Sequence, residues 1–272
     1  MPPAAALTAL APSEQLLARR IGFSGPPGAG KSTLIATWSK HLLELGRSMG
    51  VLAVDPSSPL SSGSLLGDRI RMDHVTDHKG FFLRSVPSRS VHDGLCPNVA
   101  CMLDAMEHDN FDDIVLETVG VGQTDYAARS LVDAFVVILN PETGDVIQAM
   151  KAGILEVADV LVVNKADMQA SKRMHAELKS VITRLPADSQ PALVSVSAIS
   201  GMGIGELDEA ITTRASRALS SRPARIRART AYKVRSALLA SIDAALLDAP
   251  NELWDESASV ILRRVLLQVA TS

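Results

Sequence analysis

Hydrophobic positions along the chain gather into short continuous runs separated by longer stretches of helical spacing. Seven runs read as strands: Ile21–Ser24, Gly50–Val54, Phe81–Val86, Asp113–Glu117, Ala134–Asn140, Val160–Asn164 and Leu193–Ser197. Most are unbroken Val, Ile and Leu without polar alternation, which is how strands covered on both faces read. Leu34–Leu45 and the stretches between later strands have helical spacing, so the series is a βαβ succession. The expected fold class is α/β, a doubly wound, mostly parallel seven-stranded sheet whose ligands bind beyond the C-terminal strand ends. After Gly205 the strands stop. Glu206–Leu219 reads as a helix, Ser220-Ser221-Arg222-Pro223 breaks it, Ala224–Leu247 is a long helix, and Ser257–Ala270 is one more. The expected organisation is a short extension over 1–19, a sheet domain over 20–219 and a C-terminal α-helical extension over 220–272.

The connection after the first strand carries the strongest chemistry. It reads Gly25, Pro26, Pro27, Gly28, Ala29, Gly30, Lys31, Ser32, Thr33 and opens into the first helix. Strand, glycine loop and helix in that order form the phosphate-binding loop of a P-loop NTPase sheet. Glycines at 25, 28 and 30 allow main-chain angles that point several N–H groups inward, at a helix N-terminus that favours anions. Lys31 is expected to reach the β- and γ-phosphates, and the Ser32 hydroxyl to hold magnesium.

Three other strand ends supply the remainder of a nucleotide site. Asn164-Lys165-Ala166-Asp167 follows the sixth strand. A carboxylate at Asp167 accepts two hydrogen bonds from the N1–H and N2 amino groups of guanine, a donor pair that adenine lacks. Asn164 and the Lys165 stem would brace the base, and main-chain N–H groups at Ser197, Ala198 and Ile199 would meet guanine O6. On the phosphate side the second strand ends in Asp55 and the fourth in Glu117. Carboxylates there suit magnesium, which takes one or two of them together with phosphate oxygens. Gly120 and Gly122 follow Glu117 and suit a segment that shifts near a γ-phosphate.

Composition narrows the rest. Hydrophobic residues make up 47% and aromatics 3%, which favours an aliphatic α/β core. A net charge of −3 excludes a general nucleic-acid binder, and no apolar run approaches a membrane span. The first residues lack the basic start of a signal peptide, and two cysteines, Cys96 and Cys101, read as cytoplasmic thiols. With His92 nearby they are also a conceivable metal cluster. The basic run Arg225, Arg227, Arg229, Lys233 and Arg235 reads as a solvated helix face. Leu238, Leu239, Ile242, Leu246 and Leu247 beside it need a surface to cover them, either the sheet domain or a second copy of the chain.

Val51–Met72, Glu117–Gln123 (Glu-Thr-Val-Gly-Val-Gly-Gln) and Asn140–Lys151 resemble the MeaB/MMAA/ArgK GTPases, G-protein chaperones of methylmalonyl-CoA mutase and related adenosylcobalamin-dependent acyl-CoA mutases. The resemblance covers Arg20–Gly205 and continues more weakly to the end. It implies a magnesium set of Ser32, Asp55, Asp68 and Glu117, with Arg71 near the phosphates. It also implies that Asp145, Gln148 and Lys151 lie on a segment relaying nucleotide state to the mutase, and that Lys151 approaches Glu117 or the γ-phosphate. Three departures stand out. About twenty residues precede the glycine loop where the family usually carries helices, Val146 replaces an acid of the relay segment, and Asp93 and Cys96-Pro97-Asn98 interrupt a Gly-Gly-Leu-Ala-like stretch.

The function expected from these readings is a magnesium-dependent GTPase, slow alone, that switches conformation on hydrolysis and serves an acyl-CoA mutase as a homodimer. Adenosylcobalamin would enter only through that partner. The rivals are a metal-insertion GTPase for a nickel enzyme, a transport-linked ATP-dependent kinase and a module that binds GTP without hydrolysing it.

Overall fold

The computed structural model describes residues 18–55, 72–88, 94–96, 98–118, 123–143 and 153–271. Seven strands form one sheet: β1 (Arg19–Ser24), β2 (Met49–Asp55), β3 (Phe81–Pro87), β4 (Asp113–Thr118), β5 (Ala134–Leu139), β6 (Val160–Val163) and β7 (Ala192–Ser195). Their order is β3-β2-β4-β1-β5-β6-β7, and every neighbouring pair is parallel. Each strand expected from the hydrophobic runs is present, with ends displaced by one or two residues. Strand β1 lies between β4 and β5, where the winding reverses, so the crevice at its C-terminal end is the place for a ligand.

Both faces of the sheet are covered, as unbroken apolar strands require. Ile21, Phe23, Val115, Val136, Ile138, Val160 and Val162 point to one side. There they pack under α1 (Lys31–Glu44) and α7 (Ile204–Ser220), against Leu34, Trp38, Leu42, Leu207 and Ile211. Ile114, Leu116, Phe135, Val137, Leu161 and Val163 point to the other. They meet α3 (Val99–His108) and α6 (Gln169–Ile182) through Leu103, Met106 and Leu178. Short helices α2 (Asp73–Thr76), α4 (Gln123–Arg129) and α5 (Ile154–Val157) fill the remaining connections. Two large side chains are housed over strand glycines. Gly22 pairs in register with Phe135, and a Cβ there would fall 2.4 Å from the ring. A Cβ at Gly50 would lie 2.4 Å from Met106.

The chain ends in α8 (Arg222–Leu247) and α9 (Ala258–Thr271), as the helical tail was expected to. Part of the basic run on α8 is not solvated, contrary to expectation. Arg229 is 5% exposed and donates to Asp133 at 2.7 Å, with Glu107 at 3.5 Å. Arg225 donates to the carbonyls of Val132 at 2.5 Å and Asp133 at 3.0 Å, and Lys233 donates to Asp104 at 2.8 Å. The spacing explains this, because residues 225, 229 and 233 recur every four positions and share one helix face. That face meets the acids of α3 and of the loop before β5. Arg227 and Arg235 lie off it and are exposed. Arg20, wholly buried at the root of β1, joins the cluster through Glu107 at 2.6 Å and Asp104 at 2.7 Å. Burial works against its charge, but Glu107 and Asp104 outweigh it and hold the Arg20 pKa above its ordinary value. Burial, aided by Arg20, pushes the Arg229 pKa down.

Of the apolar positions on α8, Leu239, Ile242 and Leu246 are half-buried, whereas Leu238 and Leu247 are exposed. Leu262, Leu266 and Leu267 of α9 are also exposed. No helix among the described residues is long and apolar enough to cross a membrane. Removing one partner of a buried charge cluster leaves the others uncompensated. Arg229→Ala is therefore expected to cost about 3–5 kcal/mol of stability, read by urea denaturation, with Asp133→Asn in the same chain recovering part of the loss.

Candidate functional site

The glycine loop leaves β1 where the chain must turn sharply beside β5. Gly25 has φ +146°, and a Cβ there would lie 2.3 Å from the Ile138 carbonyl oxygen, so only glycine fits. Gly28 and Gly30 also have positive φ, 77° and 87°. Ala29 is buried beneath the loop, Pro27, Gly28 and Thr33 are exposed, and Pro26 is half-exposed. Lys31 and Ser32, the first residues of α1, are buried. The Lys31 ammonium donates to the loop's own carbonyls, Gly25 at 2.9 Å and Pro26 at 3.1 Å. It thus lies folded over the loop rather than out in solvent.

Two acidic strand ends face this loop. Ser32 Oγ donates to Glu117 Oε1 at 2.9 Å, and Glu117, at the end of β4, is 4% exposed. A cleft of about 510 Å³ is lined by Pro27, Gly28, Gly30, Lys31, Ser32, Thr33, Ala53, Val54, Asp55 and Glu117. One hydroxyl and two carboxylates, all hard oxygen donors, therefore share a cavity with an ammonium and a glycine cradle. That donor set fits magnesium. Asp68, Arg71, Asp145, Gln148 and Lys151 lie outside the described residues, as does His92. Among the described residues no three or more His, Cys, Asp or Glu side chains gather as a metal cage. Cys96 is buried and Cys101 half-buried, with no disulfide. Burial and nearby Asp104 push the Cys101 thiol pKa up.

The segments that follow β6 and β7 are bound to the loop through Asn164. Its amide nitrogen donates to the Ala29 carbonyl at 2.9 Å. Its oxygen accepts from Lys165 N at 2.8 Å and Ala198 N at 3.2 Å. One side chain thereby joins the ends of β1, β6 and β7. A Cβ at Gly30 would meet this amide nitrogen at 2.4 Å, a second reason for glycine there. Asp167 stands exposed after the bend at Lys165, which has φ 56°. Ser197 and Ala198 are buried and Ile199 is 93% exposed.

Sequence reasoning missed three participants. Thr37 Oγ1 donates to the Ala198 carbonyl at 2.7 Å, binding α1 to the same segment. Lys165 pairs with Glu142, whose carboxyl is held below its ordinary pKa by that bond. Ser24, the residue before the loop, donates to Asp125 on α4 at 2.5 Å. Ser24 adjoins a recognised motif, which was its available signal. Thr37 and Glu142 gave none, because their partners lie far away in sequence.

Comparison with known proteins decides the family. The model of the family described as "Methylmalonyl Co-A mutase-associated GTPase MeaB" matches residues 4–251. The chain belongs to the MeaB family. Within it, the chain is 38% identical over 221 residues to the mitochondrial methylmalonic aciduria type A homolog of Mus musculus, covering 79% of this chain and 53% of that one. It is 35% identical over 198 residues to the GTPase ArgK of Escherichia coli, covering 71% of this chain and 60% of that one. The chain therefore spans little more than half the length of these relatives. A solved LAO/AO transport system kinase shares the fold, with TM-score 0.63 and 23% identity, covering 98% of this chain and 85% of that one.

In this MeaB-family chain the Asn164 clasp can be tested directly. Asn164→Asp keeps an acceptor for Lys165 N and Ala198 N but sets a carboxylate against the Ala29 carbonyl. It is expected to lower stability by about 1–3 kcal/mol, read by thermal and urea denaturation. Guanine-nucleotide affinity in calorimetry should drop with it, and wild-type values for both would remove the clasp from the site.

Proposed function

We propose that this chain binds GTP with magnesium across the C-terminal ends of β1, β2, β4 and β6, hydrolyses it to GDP and phosphate, and acts as a conformational switch for an adenosylcobalamin-dependent acyl-CoA mutase. The observation that carries the reading is the cleft holding Lys31, Ser32, Asp55 and Glu117 beside the glycine loop, bound by Asn164 to the strand end bearing Asp167. In this reading Asp167 takes the two guanine donors, and the loop N–H groups receive the triphosphate. Lys31 exchanges its bonds with the Gly25 and Pro26 carbonyls for the β- and γ-phosphates. Ser32 and Glu117, with Asp55 beside them, would hold magnesium, which supplies positive charge against the negative charge developing on the phosphates.

Hydrolysis is in-line attack of water oxygen on the γ-phosphorus. The bond to the β–γ bridging oxygen breaks, and GDP leaves as inorganic phosphate forms. The residues carry positioning and charge rather than covalent chemistry. From the resemblance, Asp68 would complete the metal set, Arg71 would face the phosphates, and Gln148 and Lys151 would relay the outcome to the partner. The words "Methylmalonyl Co-A mutase-associated" in the matching family's description support the mutase as that partner. Cobalamin belongs to the mutase in this scheme. Exposed Leu238 and Leu247 on α8 and Leu262, Leu266 and Leu267 on α9 are the apolar surface proposed for the homodimer. Thiol usage fits the cytoplasm.

Asp167→Asn tests the base assignment. It should weaken GTP by about 10- to 100-fold in calorimetry and improve xanthosine triphosphate correspondingly; unchanged GTP affinity would falsify the guanine reading. The partner assignment has its own measurement. A purified adenosylcobalamin-dependent acyl-CoA mutase, titrated into the chain, is expected to raise GTP turnover about tenfold or more. A flat titration across such mutases would leave a GTPase without this client.

A further inference from the structure

Three main-chain N–H groups follow β7 where guanine O6 is expected, and they are not equivalent. Ser197 N donates to the Met202 carbonyl at 3.0 Å, closing the turn on itself. Ala198 N donates to Asn164 Oδ1 at 3.2 Å. The Ile199 N–H has no acceptor among the described residues, and Ile199 is 93% exposed. It is therefore the donor left for a ligand. Its direction is set from the other end of the same peptide. A trans peptide is planar, so the Ala198 carbonyl and the Ile199 N–H point opposite ways from one rigid unit. Ala198 is 5% exposed, and its carbonyl accepts from Thr37 Oγ1 at 2.7 Å. The same hydroxyl lies 3.0 Å from the Thr33 carbonyl, the longer of two contacts available to one proton. Thr37 thus holds the peptide plane whose far side carries the ligand donor.

We propose that Thr37 is a positioning residue for base specificity: by holding the Ala198 carbonyl it aims the Ile199 N–H at guanine O6. Adenine carries an amino donor at that ring position, so a fixed N–H there favours guanine and opposes adenine. Thr37 sits on α1, the helix that Lys31 and Ser32 open. Residues on one helix keep a fixed separation. The phosphate groups and the base donor are then set relative to each other by a single rigid element. Ala198 is held at both of its main-chain polar groups, by Asn164 at the N–H and by Thr37 at the carbonyl. Without the hydroxyl, the Ala198–Ile199 peptide loses the contact that fixes its carbonyl end and turns more freely.

The inference rests on the GTPase reading, and its test separates the two. GDP, 6-thioguanosine diphosphate and inosine diphosphate are titrated calorimetrically, with magnesium, into the full chain as wild type, Thr37→Val and Thr37→Ser. The thio analogue keeps both donors that face Asp167 and replaces O6 with a poor acceptor. Inosine keeps O6 and lacks the 2-amino group. Thr37→Val is expected to weaken GDP and inosine diphosphate by a common factor of about five or more, and the thio analogue by less than about twofold. Thr37→Ser retains the hydroxyl and should return GDP to within about twofold of wild type. Thr37→Ala serves the same comparison if Thr37→Val does not fold. Equal losses for all three nucleotides mark a merely structural brace and overturn the proposal, as do wild-type affinities throughout. A wild type that does not distinguish GDP from the thio analogue overturns this inference alone. A wild type that binds no guanine nucleotide removes the functional reading and takes this inference with it.

Discussion

One carboxamide makes the nucleotide face a single object. Asn164 offers a donor and an acceptor, and both are used across strand ends that are far apart in sequence. Its donor takes the carbonyl of Ala29 in the loop, and its acceptor takes the N–H groups of Lys165 and Ala198. These are main-chain groups at turns, which no strand ladder can satisfy, and leaving them unpaired in a buried setting is costly. Gly30 and Lys165, which flank this amide, both have positive φ, and a Cβ on Gly30 would lie 2.4 Å from its nitrogen. The glycine loop and the turns after β6 and β7 are joined through it.

Beneath that face the sheet is a plain scaffold. Alternate residues of each strand feed two aliphatic cores, and glycines at 22 and 50 make room for Phe135 and Met106. Burial on both sides keeps the strand ends rigid, and close-packed interiors permit little gradual deformation. A site assembled from five strand ends then keeps its spacing without a dedicated frame.

Much of this was legible in the sequence because the chemistry is local. A parallel strand covered on both faces needs an unbroken apolar run, so all seven strands could be read with no knowledge of their neighbours. The phosphate loop and Asn164-Lys165-Ala166-Asp167 are contiguous motifs with fixed strand contexts. What escaped was long-range pairing. The motif places Asn164 as a brace for the base, but it does not reveal that the same amide also donates to the Ala29 carbonyl of the phosphate loop. Arg225, Arg229 and Lys233 were read as solvated because charge counting along α8 does not reveal Asp104, Glu107 and Asp133, each more than 90 residues away. Glu142 escaped for a related reason, since its partner Lys165 lies beyond a whole strand.

The charge cluster at the blunt end of the sheet has a consequence for how such a chain can change over time. Arg20, Glu107, Asp133 and Arg229 neutralise one another out of water, so none is a private property of its own helix or strand. A lineage that loses one passes through an ancestor with a stranded ion. Change at any one of these four positions is therefore energetically coupled to the other three. The helical arm cannot be shuffled onto another nucleotide-binding sheet as a cassette, because half of its attachment chemistry stays behind in the host it leaves.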